Sequence, residues 1–414
     1  MLRKTLILTL LIALFAACSP QAAPMGDSAP TEIPADEAAS AISPEHNLTD
    51  SCVIEGEFDA SVDYFPEKAT LTHTDGFSVE YFNNYKVVTV KTPYPGAAES
   101  IQYVLVQCGT PAPEGFLDEQ IINIPVQTVV IMSTSYLPFL DELGLLDRLV
   151  GLDDATYVSN PAVLKMAEEG KLAMIGYGSG VNVEQALELS PELILTYGSG
   201  APDYDAHPVL IEAGLKTVVN AEWLETTPLG RTEWGKFIAV FFNKEADAQA
   251  LFAKTVERYS EYAAVVASAT ERPTVFTASD YQGIWSMPGG NSFAAAFFKD
   301  AGADYLWADD TSTGSLPLAF EAVFEKAQGA EYWVNVGYFF TLDDLLAADA
   351  RYADFNAYQS GNIWNNDARI SPNGGNDYYE SAVAHPELVL ADLIKIFHPE
   401  LLPDHELVYY RQLK

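Results

Sequence analysis

The chain has 414 residues, 49% of them hydrophobic, and carries 58 acidic against 22 basic residues for a net charge of −36. A surface that acidic repels nucleic acid and anionic lipid headgroups, so neither is a partner the composition supports, although a salty habitat would produce the same excess.

Arg3 and Lys4 make a basic start, and Thr5 to Phe15 form an apolar run of about eleven residues, short of the ~18 that a spanning helix needs. The run ends in 15-FAAC-18, which resembles the cleavage box of bacterial lipoproteins, with Phe15 where leucine is commoner. The resemblance implies a signal peptide over 1–18, a lipidated Cys18 and a mature chain held outside the cytoplasmic membrane. An ordinary signal peptide cut near Ala17 is the alternative. Nothing later in the chain reaches the length of a membrane span. Residues 19–50 are rich in Ala, Ser, Pro, Asp and Glu, too poor in large apolar side chains to fold, and read as a disordered tether. Cys52 and Cys108 remain; two cysteines in an exported chain point to a disulfide rather than a site, and no metal-ligand spacing accompanies them.

Residues 51–125 are β-rich. The stretches 78-SVEYFNNYKVVTVKT-92 and 101-IQYVLVQ-107 are dense in Val, Tyr and Ile, with turn residues between them. A buried-strand pattern, 126-VQTVVIMSTS-135, is followed by a helix closed by Gly144 and a strand at 148-RLVGLDD-154. Strand, helix and strand with apolar runs on both strands give a parallel sheet wrapped by helices. The pattern continues with a helix at 183–189, a strand at 192–196, a helix and strand in 207-HPVLIEAGLKTVVN-220, and a helix around 231-RTEWGKFIAVFF-242. This first lobe spans 126–242.

Residues 243–271 contain no glycine or proline, and Ala248, Phe252, Val256, Tyr259, Ala263 and Val266 form one helical stripe. The expectation is one helix about 40 Å long at ~1.5 Å per residue, capped by Asn243 and stopped before Pro273. The pattern then restarts as a second lobe over 272–414, with a strand at 274-TVFTASD-280, a helix at 291-NSFAAAFFKDAG-302 and a strand at 303-ADYLWADD-310. The unit 182-NVEQALELSPELILTYGSG-200 recurs as 319-AFEAVFEKAQGAEYWVNVG-337, a weak internal repeat. The fold class is α/β: two Rossmann-like lobes, parallel sheets wrapped by helices, joined by one long backbone helix behind a β-rich extension.

Two lobes on one helix behind a lipoprotein signal resemble the substrate-binding proteins of ABC importers for cobalamin, ferric siderophores and haem. The phrases 182-NVEQALELSPELIL-195, 228-PLGRTEWGKFIAVFF-242, 289-GGNSFAAAFFKDAGADYLWAD-309 and 384-AHPELVLADLIKIFHPELLP-403 carry that resemblance over residues ~78 to 403. It implies a monomeric receptor that does no chemistry and carries no cofactor of its own. Its ligand would be a small-molecule metal complex, an iron chelate, haem or corrinoid, passed to an ABC permease dimer with its ATPase. It also implies that Glu184 and Glu321, one per lobe, dock into arginine pockets of the permease. The bland reading of Glu184 is a residue in the first turn of a helix, complementing its dipole beside a capping box of Asn182 and Gln185. At the second copy Ala319 holds the cap position, so capping explains Glu321 less well.

The ligand is expected between the lobes, where the strand-to-helix loops of both sheets converge. Those loops supply Ser133, Thr134, Tyr136, Tyr157, Tyr177, Tyr197, Trp223 and Arg231 from the first lobe, and Tyr281, Trp285, Tyr338 and Arg369 from the second. Rings suit a bulky conjugated ligand and guanidinium groups suit its acidic substituents. Packing at the rim is the alternative for Tyr157 and Tyr338, and a local salt bridge to Glu233 is the alternative for Arg231. Among other classes, a bare zinc or manganese receptor would need more histidines than His73 and His207 provide. A hydrolase would need a Ser–His pair. A ligand-sensing surface lipoprotein would use the same fold without a permease.

Overall fold

The computed structural model describes residues 43–414; the signal peptide, Cys18 and most of the expected tether lie outside the described residues. The fold begins before residue 50. Asn47 is buried, donates to Glu245 Oε2 at 2.9 Å and accepts from Glu67 N at 3.0 Å. Cys52 and Cys108 are joined by a disulfide, which fastens this entry segment beside the end of the third strand.

Strands β1 (Phe77–Tyr81), β2 (Tyr85–Val90), β3 (Ile101–Gln107) and β4 (Ile121–Ile124) pair in that order, antiparallel except for the parallel β3–β4 pair. One face of this sheet, with Phe77, Val88, Val90, Tyr103, Leu105 and Ile122, belongs to the same apolar core as the first lobe. The Tyr103 hydroxyl accepts from Val219 N at 2.9 Å inside that core. The β-rich segment is therefore built into the first lobe rather than appended to it.

The first lobe carries β5 (Val129–Ile131), β6 (Leu149–Leu152), β7 (Ala173–Met174), β8 (Leu193–Thr196) and β9 (Thr217–Val219), all parallel in the order β7-β6-β5-β8-β9. Helices α1 (Leu137–Glu142), α2 (Pro161–Glu168), α3 (Val183–Leu189) and α4 (His207–Glu212) link them. Coverage of both faces explains the unbroken apolar runs of β5 and β8. The single helix expected around 231–242 is two, α5 (Pro228–Glu233) and α6 (Gly235–Ala239). The joint is Trp234, whose buried ring lies 4.8 Å from Phe77 and 5.0 Å from Phe237. Gly235 follows because a Cβ there would meet the Phe139 ring at 2.6 Å.

The long helix α7 runs Glu245–Val266, 22 residues, about 33 Å at ~1.5 Å per residue. It is shorter than the expected 243–271. Asn243 does not cap it: the residue takes φ 57°, and its amide accepts from Lys86 Nζ at 2.7 Å and donates to Leu48 O at 2.7 Å. Of the expected stripe, Ala248, Phe252, Tyr259 and Val266 are buried. Ala248 packs in the first-lobe core, whereas Tyr259 and Val266 pack in a second one. One rod thus spans two cores.

The second lobe contains β10 (Thr274–Thr277), β11 (Asp280–Tyr281), β12 (Ile284–Pro288), α8 (Phe293–Asp300), β13 (Asp304–Tyr305), β14 (Ser315–Leu318), α9 (Phe320–Ala327) and β15 (Tyr332–Val334). It ends with α10 (Leu342–Ala348), α11 (Asn356–Ser360), β16 (Ile363–Asn365), α12 (Pro386–Phe397) and β17 (Arg411–Gln412). Its main sheet has the order β13-β10-β15-β16-β17, parallel except at β17. Strands β5, β6, β8 and β9 correspond to β10, β13, β15 and β16, so the repeat read from the sequence is a repeat of topology. A small antiparallel sheet, β11-β12-β14, is inserted in the second copy.

The lobes meet a second time. Beyond β16 the chain crosses onto the first lobe, where Val383 and Ala384 join its core. Thr232 Oγ1 donates to Val383 O at 2.7 Å, and Ser159 N and Asn160 N donate to the Glu380 carboxylate at 2.7 Å each. His385 pairs with Glu142 at 2.8 Å. A packed helix and a buried crossing segment together resist wide opening of the two lobes.

Candidate functional site

In a parallel sheet the polar loops gather at the carboxyl ends of the strands, because each helix returns the chain to the opposite edge. The first lobe places Ser133 after β5, Tyr157 after β6, Tyr177 after β7, Tyr197 after β8 and Trp223 after β9. The second places Tyr281 at the end of the short β11 that follows β10, and puts Tyr338 in the loop after β15 and Arg369 and Tyr379 in the loop after β16. Large aromatic side chains in these loops stand in water. Tyr157 is 68% exposed, Tyr177 67%, Tyr281 76% and Tyr338 96%, so core packing does not account for them. Ala278 (φ 65°) and Asn335 (φ 54°) follow β10 and β15 directly in left-handed backbone, strain of the kind that concentrates at binding sites.

Arg231 stands at the seam of the lobes. It is ion-paired with buried Glu222, through Nε and again from Nη2 at 3.4 Å. Ser135 Oγ donates to Glu222 Oε1 at 2.7 Å and shares a hydrogen bond of 2.8 Å with Ser133 Oγ. The expected alternative partner, Glu233, is occupied elsewhere: it pairs with Lys236 at 2.8 Å and accepts the backbone N–H groups of Thr72, His73 and Thr74. The outer face of the Arg231 guanidinium lies 5.2 Å from the Phe293 ring of the second lobe and lines one small cavity with Tyr378 and Phe297. Glu222 raises the already high Arg231 value further against the opposing effect of burial, so the cation is permanent. Asp153, at the end of β6, is pushed up to about 6 by burial.

Three expectations are corrected. Tyr136 is buried in the core, its hydroxyl 3.3 Å from both Thr196 O and Asn220 O, so it supports the site from below. Trp285 is fully buried, with Nε1 donating to Thr277 O at 2.8 Å, because the inserted sheet turns it inward. Arg369 does not join Arg231: it pairs with Asp377 at 3.0 Å and lies over Tyr409 at 5.9 Å. Its crevice also contains Asp141, Glu142 and Glu380. Residues the sequence reading missed include Phe293, Tyr378 and Tyr379. Phe293 opens a helix, α8, and Tyr378 and Tyr379 lie nine and ten residues past Arg369, beyond the stretch that supplied it.

Glu184 and Glu321 occupy equivalent first-turn positions of α3 and α9, and both are exposed. Asn182 caps α3 by accepting Gln185 N at 3.0 Å, but the return bond of a capping box is not formed. Ala319 caps nothing. Glu321 meets Arg351 at 3.2 Å, and Arg351 is held by Asp349 at 2.6 Å and lies 3.7 Å over the Phe320 ring. Among the described residues, no three His, Cys, Asp or Glu side chains gather as a metal-binding group, and no helix is long and apolar enough to cross a membrane.

Residues 129–369 match the family described as periplasmic binding protein. An uncharacterized lipoprotein of Methanocaldococcus jannaschii is 27% identical over 293 residues, 68% of this chain and 67% of the relative. A possible iron-binding, periplasmic solute-binding protein from Staphylococcus epidermidis superposes with a TM-score of 0.53 at 17% identity, covering 66% of this chain and 99% of the other. A periplasmic heme-binding protein from Pseudomonas aeruginosa gives 0.51 at 21% identity, covering 66% and 94%. At those identities the likeness is one of fold.

Proposed function

The chain belongs to the periplasmic binding protein family, and we propose that within it this protein is a lipid-anchored receptor that captures an iron chelate, haem or corrinoid between its lobes and delivers it to an ABC permease. The observation that supports the reading is twofold: tyrosines stand exposed beyond strand ends of both lobes, and one permanent cation, Arg231 between Glu222 and Phe293, lies at the seam. Rings of that kind stack on a conjugated or chelated ligand, and a half-buried guanidinium anchors its acidic or carbonyl oxygens. The anchor through Cys18 rests on the 15-FAAC-18 box and agrees with the lipoprotein relative. Binding of a bare zinc or manganese ion is the alternative within the class, made weaker by the shortage of histidines other than His73 and His207 outside the tether and the C-terminal stretch.

Glu184 and Glu321 are the docking residues in this reading. Their support is equivalent placement in the two repeats, exposure, and in the case of Glu321 an arginine already bound in cis. The test is a titration of the six tryptophans by fluorescence quenching with haemin, a ferric trihydroxamate and cyanocobalamin, followed by uptake in cells. One probe class should quench tightly. Glu184→Ala with Glu321→Ala should leave that binding unchanged and abolish uptake. Uptake that survives the double substitution would refute the docking role, and uptake that also survives deletion of the chain would leave a sensing lipoprotein without a permease as the better account.

A further inference from the structure

Resting on that reading, the ligand site has a side wall that the family match does not include. The β-rich segment, outside residues 129–369, sends its loops at 73–76 and 92–95 to the seam between the lobes. There they bound a crevice of about 850 Å³ together with Trp223 and Thr227 of the first lobe and Phe293, Ala294 and Ser315 of the second. The crevice adjoins the seam site, since Phe293 lines the crevice and also lies against Arg231.

The wall is preorganised. Glu233 accepts three successive backbone N–H groups at Thr72, His73 and Thr74, between 2.6 and 3.0 Å. Glu225 accepts from Thr74 Oγ1 and from Trp234 Nε1, the latter at 2.8 Å. Gly76 lets the loop lie flat, since a Cβ would meet the Trp234 ring at 2.7 Å. Two carboxylates thus pin one loop of the extra sheet against the first lobe, and a pinned loop beside a cleft can bind without ordering cost.

The chemistry of the lining selects what enters. Apolar surface from Trp223, Phe293 and Pro95 alternates with the hydroxyls of Thr92, Thr227 and Ser315. No lysine or arginine is among the described residues that line it, while Asp75 and Glu225 are. Arg272 and Lys299 lie beyond, past Thr226 and Thr313 in an adjoining crevice, and Arg272 is engaged with Asp304 at 3.2 Å. An anionic group meets no permanent cation at the near wall, where His73 stands beside Asp75, and is repelled by Asp75. We propose that this crevice is an accessory subsite for an uncharged, amide- or hydroxamate-bearing arm of the metal complex held at the seam. The extra sheet then sets ligand size and class.

The experiment measures Kd of the detergent-solubilised full chain for haemin, ferrioxamine and cyanocobalamin, in wild type, Thr92→Trp, Thr92→Ser and Ala294→Trp. Thr92 is exposed on a loop, so its substitution leaves the core intact, and circular dichroism checks each fold. The expected result is tight binding of an amide- or hydroxamate-bearing probe, weakened about tenfold or more by Thr92→Trp and Ala294→Trp and far less by Thr92→Ser, which keeps the hydroxyl. Binding of such a probe that ignores both tryptophans overturns the subsite and leaves the seam site standing. Tight binding of haemin alone overturns the assigned class. Failure of all three probes overturns the receptor reading, and the subsite with it.

Discussion

Lys86 and Glu245 are both fully buried and ion-paired, and they join the extra sheet to the first turn of the long helix. Lys86 Nζ also donates to Val240 O at 2.9 Å and Asn243 Oδ1 at 2.7 Å, and Glu245 accepts from Asn47 Nδ2. Burial holds the Lys86 ammonium below its ordinary range even with Glu245 beside it. The pair therefore adds little beyond what two apolar residues would give, but losing one partner is severe. Lys86→Met strands a carboxylate and two oxygen acceptors in a dry core, a loss of about 3–5 kcal/mol. Lys86→Met combined with Glu245→Met removes both charges and should cost less than the sum of the singles by about 2 kcal/mol or more. Urea unfolding followed by circular dichroism reads both quantities, with equal slopes required across the series. Additive effects, or a Lys86→Met loss under about 1 kcal/mol, would mean that the cluster is wet and that the sheet is not held by it.

Glu380 offers a pH test. Burial, its largest influence, pushes its carboxyl up from 4.5 to about 7 despite the N–H groups of Ser159 and Asn160. Ionising it in the fold is thus unfavourable, so its contribution to stability falls as pH rises from the unfolded value through about 7, by roughly 3 kcal/mol in all. Glu380→Gln cannot ionise, and its stability relative to wild type should climb by that amount between pH 4.5 and 7.5; a flat difference would refute the assignment. Gly235→Ala places a methyl 2.6 Å from the Phe139 ring and should cost about 1–3 kcal/mol in thermal or urea unfolding. An unchanged midpoint would show that α1 can shift away.

The sequence by itself determined most of the α/β elements and their order, though not the break at Trp234 or the inserted β11-β12-β14 sheet. Apolar runs that end in small or aromatic residues read as parallel strands closed by loops at one edge, which assigned Tyr157, Tyr177 and Tyr338 to strand-end loops, and all three are exposed in the fold. The uninterrupted stripe from Ala248 to Val266 likewise allowed only a long helix. Tertiary structure decided whatever depends on which side of a residue faces its neighbours. Tyr136, just before α1, and Trp285, on the inserted strand β12, both point inward, and Arg231 chose Glu222, nine residues back, over Glu233, two residues on. Asn243 gave up a cap to serve a buried lysine that lies 157 positions away in sequence. Local pattern records periodicity and propensity, whereas partner choice among buried charges follows from desolvation, which exists only once distant segments have packed together.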